Sequence, residues 1–208
     1  MILRFDLPAQ LPLFPLSGAV LMPRSRLPLH IFEPRYLQML EDALKTEHRL
    51  IGMIQPEGAA LAGIGCAGRV MAFSEGDDGR MMISLRAISR FRLVETEEGF
   101  APYLRGRVDF GDFQRDLGTS ETDPAMRRER LFTLLHRYME TQDLSTDWEA
   151  AEKANDEVLI NSLAMMLPFS PADKQALLES PFLSDRRELL EGLIEFALHG
   201  GDSEDRMQ

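Results

Sequence analysis

Residues 11–36, LPLFPLSGAVLMPRSRLPLHIFEPRY, constrain the fold more than any other stretch, because four prolines (Pro12, Pro15, Pro23, Pro28) fall inside apolar, strand-forming runs. Proline carries no backbone N–H and is confined in sheets to edges, strand starts and bends, so the middle of a flat sheet is disfavoured and a small, strongly curved barrel fits better. Gly18 follows Ser17 in a turn between two apolar runs. Leu27, Leu29 and Ile31 alternate with Pro28 and His30, the period of a strand with one buried face. Glu33-Pro34 ends that strand, and proline suits the first turn of a helix. Tyr36, Leu37, Leu40, Ala43 and Leu44 then recur at helical spacing, with Arg35, Gln38, Glu41, Asp42 and Lys45 on the other side.

The chain downstream is built to cover this stretch. Residues 50–55 read as a buried strand and 56–63 as a loop of small residues; 64–74, 81–87, 89–96 and 103–109 are four further strand segments. Asp77-Asp78-Gly79 and Gly99 mark hairpin turns. Several short strands, one early helix and no βαβ alternation predict an antiparallel barrel over residues 1–110. Residues 111–123 are polar and acidic, the composition of a surface linker. Beyond it the pattern is helical: 124–141 capped by Asp123, a second region opened by a Thr146/Glu149 capping box and running to 167 with a break near Asn155, a third helix from Ser170-Pro171, and a fourth from Asp185/Glu188 to Gly200-Gly201. The expected class is α+β: a curved antiparallel barrel with one early helix, then a compact helical bundle over 124–200 and a flexible tail over 201–208.

At 208 residues the chain can bury roughly 70% of its unfolded surface, enough for one large domain or two small ones. The single cysteine, Cys66, rules out an internal disulfide framework and suits a reducing compartment, with the cytoplasm as default. The N-terminus lacks the pattern of a signal peptide, and no apolar run approaches the roughly 20 residues of a membrane span. The net charge of -11 is uneven: residues 1–110 carry 13 of the 23 Lys+Arg and 13 of the 34 Asp+Glu, so the whole acidic excess lies in the second half. Such a balance repels polyanions in general while permitting a local basic patch in the first half.

Residues 63–68, GIGCAG, match a dinucleotide fingerprint letter for letter, yet a loop precedes them and a strand-forming run follows, so the glycines are expected to serve turns and bulges of a curved sheet. A Walker-type phosphate loop is missing, and the histidines (His30, His48, His136, His199) lack metal spacing. His30 is expected half-exposed, Cys66 a small buried hydrophobe, Lys174 a solvated surface residue, and the carboxylates of 95–98 and 149–157 solvated faces. Neither a catalytic constellation nor a cofactor is predicted. Arg80, Arg86, Arg90, Arg92, Arg105 and Arg107 fall on the late strands; they either pair with acids of the helical half or line a nucleic-acid-binding face, the former fitting the overall charge better.

The segments LPLFPL, GAVLMP, LPLHIFEPRYLQMLEDAL, RLIGMI, GCAGRV, MMISLRAISRFRLVE, MLPFSPADKQALLE and DRRELLEGLIEF, in this order, resemble the N-terminal substrate-binding domain of Lon proteases, above all the stand-alone bacterial proteins made of that domain alone. The resemblance covers nearly the whole chain. It implies a curved barrel of the kind shared with RNA-binding PUA domains, followed by helices, without the ATPase and Ser-Lys peptidase modules of a full Lon protease. It also implies a non-catalytic protein that holds exposed or unfolded polypeptide segments, alone or alongside a separate protease; an RNA-binding module is the alternative. The candidate rim of such a site is the start of the first helix, with Phe32 and Tyr36 as apolar contacts and Glu33, Arg35 and Gln38 as polar ones. Against this, both aromatic rings would also fit an ordinary core, Phe32 more readily than Tyr36.

Overall fold

The proline-marked stretch folds as two short strands and a helix, β1 (Gln10–Pro15), β2 (Arg26–Ile31) and α1 (Pro34–Leu44). The computed structural model describes residues 7–77, 79–97 and 99–204, with side chains as far as residue 199. Then follow β3 (Leu50–Ile54), the two-residue strands β4 (Pro56–Glu57) and β5 (Ala60–Leu61), β6 (Ile64–Glu75), β7 (Met81–Glu97) and β8 (Arg105–Asp109). Gly79 has φ +75, the left-handed backbone a tight turn needs, while Asp78 and Glu98 lie outside the described residues.

Six strands form one sheet in the order β2-β7-β6-β3-β1-β8, and β7 also pairs with β8. Two expectations are corrected. The sheet is mixed and not wholly antiparallel, because β1 and β3 run parallel, with Leu13 beside Gly52 and Phe14 beside Met53. Between them the chain passes through β2 and α1, the long crossover that a parallel pair requires. Residues 81–87 and 89–96 are also one strand of 17 residues and not two. Ala67 pairs with Ser89 and Gly68 with Ala87, so Ile88 is an extra residue that bends β7 without ending it. That bend lets β7 pair with β2 near its start and with β8 near its end.

Turns and bulges are the expected role of the GIGCAG glycines; a register shift does fall at Ala67/Gly68, but what keeps Gly65 and Gly68 bare is close packing, while a Cβ on Gly63 would meet nothing. A Cβ on Gly65 would lie 2.5 Å from both the Met53 carbonyl oxygen and Phe91 Cζ. Phe91 fills a small core with Leu11, Leu13, Leu50, Ile54, Ala67 and Val108. A larger core runs continuously from Phe14, Met39 and Leu85 to Leu135, Ile160 and Leu190 of the helical half. Cys66 is fully buried, and burial pushes its thiol well up, so it is an inert apolar filler.

The second half comprises a 3-10 helix (Gly111–Leu117) and α2 (Arg128–Thr141), α3 (Trp148–Lys153), α4 (Asp156–Met166), α5 (Pro171–Glu179) and α6 (Leu183–Glu204). Several local expectations shift. Residues 111–117 are not a surface loop: Phe113 and Asp116 are buried. The α3 cap is Asp147, whose carboxylate accepts from Ala150 N–H, and not Thr146. Asn155 caps α4 by accepting from Val158 N–H, which places the expected break, and Ser170 caps α5. Helix α2 begins at Arg128, because Asp123 is drawn into a turn and an ion pair with Arg187. Helix α6 continues past Gly200-Gly201 to Glu204; residues 205–208 lie outside the described residues. Lys174 is buried and not solvated: its ammonium donates to the Met165 carbonyl in the last turn of α4, where helix carbonyls lack partners. Glu157 is buried too, not part of a solvated face.

On the other side, strand β2 ends the sheet: it pairs with β7, and no described strand pairs with its second edge. No described helix is long and apolar enough to cross a membrane.

Candidate functional site

The strand alternation at β2 decides where the candidate residues sit. Leu29 and Ile31 face inward, so Phe32 points out and is 60% exposed, with the Arg80 guanidinium 5.6 Å from its ring centroid. Tyr36 falls on the inward face of α1 and is only 8% exposed; its ring lies 4.4 Å from Phe14. The two aromatic assignments therefore exchange: Tyr36 is core, and the Phe32 ring is available. Burial raises the Tyr36 hydroxyl above its ordinary pKa, with the Arg35 charge opposing and the Glu33 charge adding to the rise. Arg35 bonds to Glu33 at 2.8 Å and stacks over Tyr36 at 4.5 Å, which fixes this pair as a short polar rim beside Phe32. Gln38 donates to Asp42 at 3.0 Å.

Phe32 lines none of the described cavities. The cavity beside α1 lies at its other end: about 360 Å³, lined by Leu11, Pro12, Ala43, His48, Leu50 and Tyr103 among others. Asp42 stands at its edge and accepts from the Tyr103 hydroxyl at 2.9 Å. Burial works to raise the Asp42 carboxyl, but the bonds from Tyr103, Gln38 and Lys45 outweigh it and hold the group below the usual carboxylate range. The sequence reading missed this cavity because Tyr103 reaches α1 from the β7–β8 connection, a contact no local pattern encodes.

The late-strand arginines separate into distinct environments. Arg90 is fully buried, bound to Asp116 and to carbonyls of Leu178 and Ser180. Arg92 pairs with Asp112 and Arg107 with Glu95, while Arg105 donates to Gln10. The two halves are joined by further polar bonds: Arg24 to Glu157, Asn161 to the Pro23 carbonyl, Gln55 to that of Pro171 and Gln175 to that of Ile64. Arg186 donates to Asn161, and burial, with the Arg90 charge adding to it, lowers the Arg186 guanidinium to about 10. Arg90, Arg92, Arg105 and Arg107 are thus engaged, whereas the Arg86 side chain makes no bond to a described residue. His30 is exposed, and no described group of His, Cys, Asp and Glu can hold a metal ion.

One of the ion pairs gives a pH prediction. Burial favours a raised pKa for Asp123, but the bonds from Arg187 and Ala125 N–H outweigh it and depress the carboxyl. A depressed folded-state pKa contributes stability above the unfolded value, about 3.9, and that contribution is lost as pH falls through the folded value. Asp123→Asn is therefore expected to lower stability at pH 7 and to narrow its gap from the unsubstituted protein as pH is lowered below about 4, measured by urea unfolding across pH. An unchanged gap down to the lowest pH would contradict the pairing.

Against this geometry stand the relatives. The family model described as "ATP-dependent protease La (LON) substrate-binding domain" matches residues 10–195. The chain belongs to the Lon substrate-binding domain family. Among Lon relatives, the Lon protease of Syntrophus aciditrophicus is 25% identical over 190 residues, 85% of this chain and 24% of that protein. Lon protease 1 of Bdellovibrio bacteriovorus is 28% identical over 193 residues, 88% of this chain and 24% of that protein. The chain thus spans about a quarter or less of the length of the curated Lon proteases it matches. The Lon N-terminal domain protein from Xanthomonas campestris is 26% identical, with a TM-score of 0.62 over 87% of this chain and 96% of that one. The N-terminal domain of Mycobacterium avium complex Lon protease shares the fold at 13% identity, with a TM-score of 0.68 over 89% of this chain and 98% of that one. The Lon N-terminal fold, a mixed sheet plus helices, is therefore the fold of this chain.

Proposed function

We propose that this Lon-type domain is a non-catalytic binding protein for exposed or unfolded polypeptide segments, and that the β7–β8 pairing makes its sheet the curved barrel expected of the family. Membership of the substrate-binding family across residues 10–195 carries the functional reading. The surface at the head of α1 supports it: an exposed Phe32 ring flanked by the Glu33–Arg35 pair and Arg80, with Gln38 one turn further along. An exposed aromatic ring beside polar groups offers an apolar anchor with orienting hydrogen bonds, and it suits segments that display apolar side chains after unfolding. Tyr36 contributes by holding the helix head against Phe14 and not by contact.

Fluorescence titration with a permanently unfolded model polypeptide is expected to show saturable binding, against none for its folded counterpart. Phe32→Ser is expected to weaken that binding roughly tenfold with the melting temperature unchanged, as for an exposed interface anchor. Equal binding of folded and unfolded forms would remove this function.

A further inference from the structure

Three arginines stand directly opposite one another on adjacent strands. Arg26 of β2 pairs with Arg86 of β7, and Arg86 with Arg69 of β6. All three occupy the face opposite Leu27, Leu85 and Val70, and none of their side chains makes a hydrogen bond or ion pair with a described residue; Arg69 Nε is buried without a partner. Like charges directly opposite in a sheet repel, and a buried guanidinium N–H left unbonded adds a further cost. Arg90, Arg92 and Arg107 on the same sheet each have a carboxylate, and the Arg105 guanidinium donates to Gln10, whereas no such partner serves this row.

Arg69 and Arg86 line a cavity of about 400 Å³ together with Arg24, Met71, Ile88 and Leu117. Asp116 also borders it, but its oxygens accept from Arg90 N, Nε and Nη2, and Arg24 is held by Glu157 and the carbonyls of Arg115, Gly118 and Thr119. The positive charge left uncommitted at the cavity is that of Arg69 and Arg86. Further along the same face of β7, Ser84 and Met82 lead to Arg80 and the Phe32 ring; Met82 and Phe32 are both exposed. Met82 and Arg86 stand four positions apart along the strand, about 13 Å.

We infer that the Arg26–Arg86–Arg69 row is a carboxylate-binding subsite, and that the polypeptides this domain holds carry an acidic residue about four positions from a large apolar one. The inference rests on the polypeptide-binding function proposed above. In an extended segment laid along β7, the apolar side chain meets Met82 and Phe32 while the carboxylate reaches the forked donors of Arg86 and Arg69. The apolar walls of Met71, Ile88 and Leu117 suit a side-chain carboxylate in a peptide better than the backbone of a nucleic acid, which the net charge of -11 also repels.

The test uses the full chain and three short fluorescent probes: a peptide with Leu and Asp four positions apart, the same peptide with Asn for Asp, and a single-stranded oligonucleotide. The acidic peptide is expected to bind about tenfold more tightly than its Asn form at low salt, the difference shrinking as salt is raised. An Arg69→Gln/Arg86→Gln double variant is expected to abolish that preference, leave the Asn peptide's affinity unchanged, and melt at the same or a higher temperature, since it relieves repulsion. Equal affinities for the two peptides, or a preference that survives the double variant, would overturn the inference and leave polypeptide binding standing. Tighter binding of the oligonucleotide than of the acidic peptide would overturn it in favour of nucleic acid. Failure of both peptides and of the unfolded polypeptide to bind would remove the polypeptide function itself, and the subsite with it.

Discussion

Asp116→Ala is expected to destabilise the fold by about 3–5 kcal/mol, because it strands a buried guanidinium. Arg90 is 1% exposed; Asp116 accepts from its backbone N at 2.8 Å, from Nε at 3.0 Å and from Nη2 at 3.0 Å. Its Nη1 is satisfied by the Leu178 and Ser180 carbonyls, so the guanidinium ties strand β7 to the 3-10 helix and to the end of α5 at once. Without the carboxylate, a positive charge remains in a region that already holds Arg186. In a chain of this size the loss corresponds to a fall in melting temperature of roughly 10 °C. A paired replacement, Arg90→Met with Asp116→Leu, removes both charges and is expected to recover most of the loss, as buried ion pairs replaced by apolar side chains often do. A loss below about 1 kcal/mol in Asp116→Ala would mean that water compensates the arginine and that the pair is not a structural tie.

Phe91→Ala is expected to cost a comparable 3–5 kcal/mol, roughly the usual range for emptying an aromatic site in a core. The reason lies in the glycines around it. Cβ atoms placed on Gly52 and Gly65 would meet the Phe91 ring at 3.1 and 2.5 Å, so those positions are bare because the ring occupies their side-chain space. With the ring gone, Gly52 and Gly65 bring no side chain of their own to fill the hole, and hydrogen-bonded strands on both sides resist collapse. Urea unfolding is expected to show a lower midpoint at unchanged slope. A cost near that of Ile→Val, about 1 kcal/mol, would show that the strands close in.

These two sites mark where sequence reasoning succeeded and where it stopped. Periodicity located the longer strands and α1, and the Ser170 cap and the break at Asn155 were legible, because a strand's two-residue repeat and a capping side chain are local properties. It also separated GIGCAG from a dinucleotide fingerprint, though the close packing that keeps Gly65 and Gly68 bare was not legible. It did not supply the partners of Arg90, Lys174 or Glu157, since each of these charged groups is buried through contacts more than eight residues away in sequence. The parallel β1–β3 pair escaped for the same reason: antiparallel and parallel neighbours carry the same alternation. The bulge at Ile88 was read as a gap between two strands because an extra residue reverses the pattern of faces as a turn would. Phe32 was legible in principle. The alternation that buries Leu29 and Ile31 sends the next side chain outward, and only the general preference of phenylalanine for interiors argued otherwise.

Pro28 sits in the middle of β2, and its consequence concerns how another chain can approach. A proline cannot form the hydrogen-bonded type of antiparallel pair, so in the ladder to β7 those pairs fall to Leu27, Leu29 and Ile31. The donors of the alternate residues Arg26, Pro28 and His30 then belong to the outer edge, and the central one is missing. An incoming peptide backbone would find the outer edge of β2 interrupted at its midpoint, which discourages strand addition there and the edge-to-edge self-association that accompanies it. At this edge, side chains and not the backbone are left to make the polypeptide contacts proposed above.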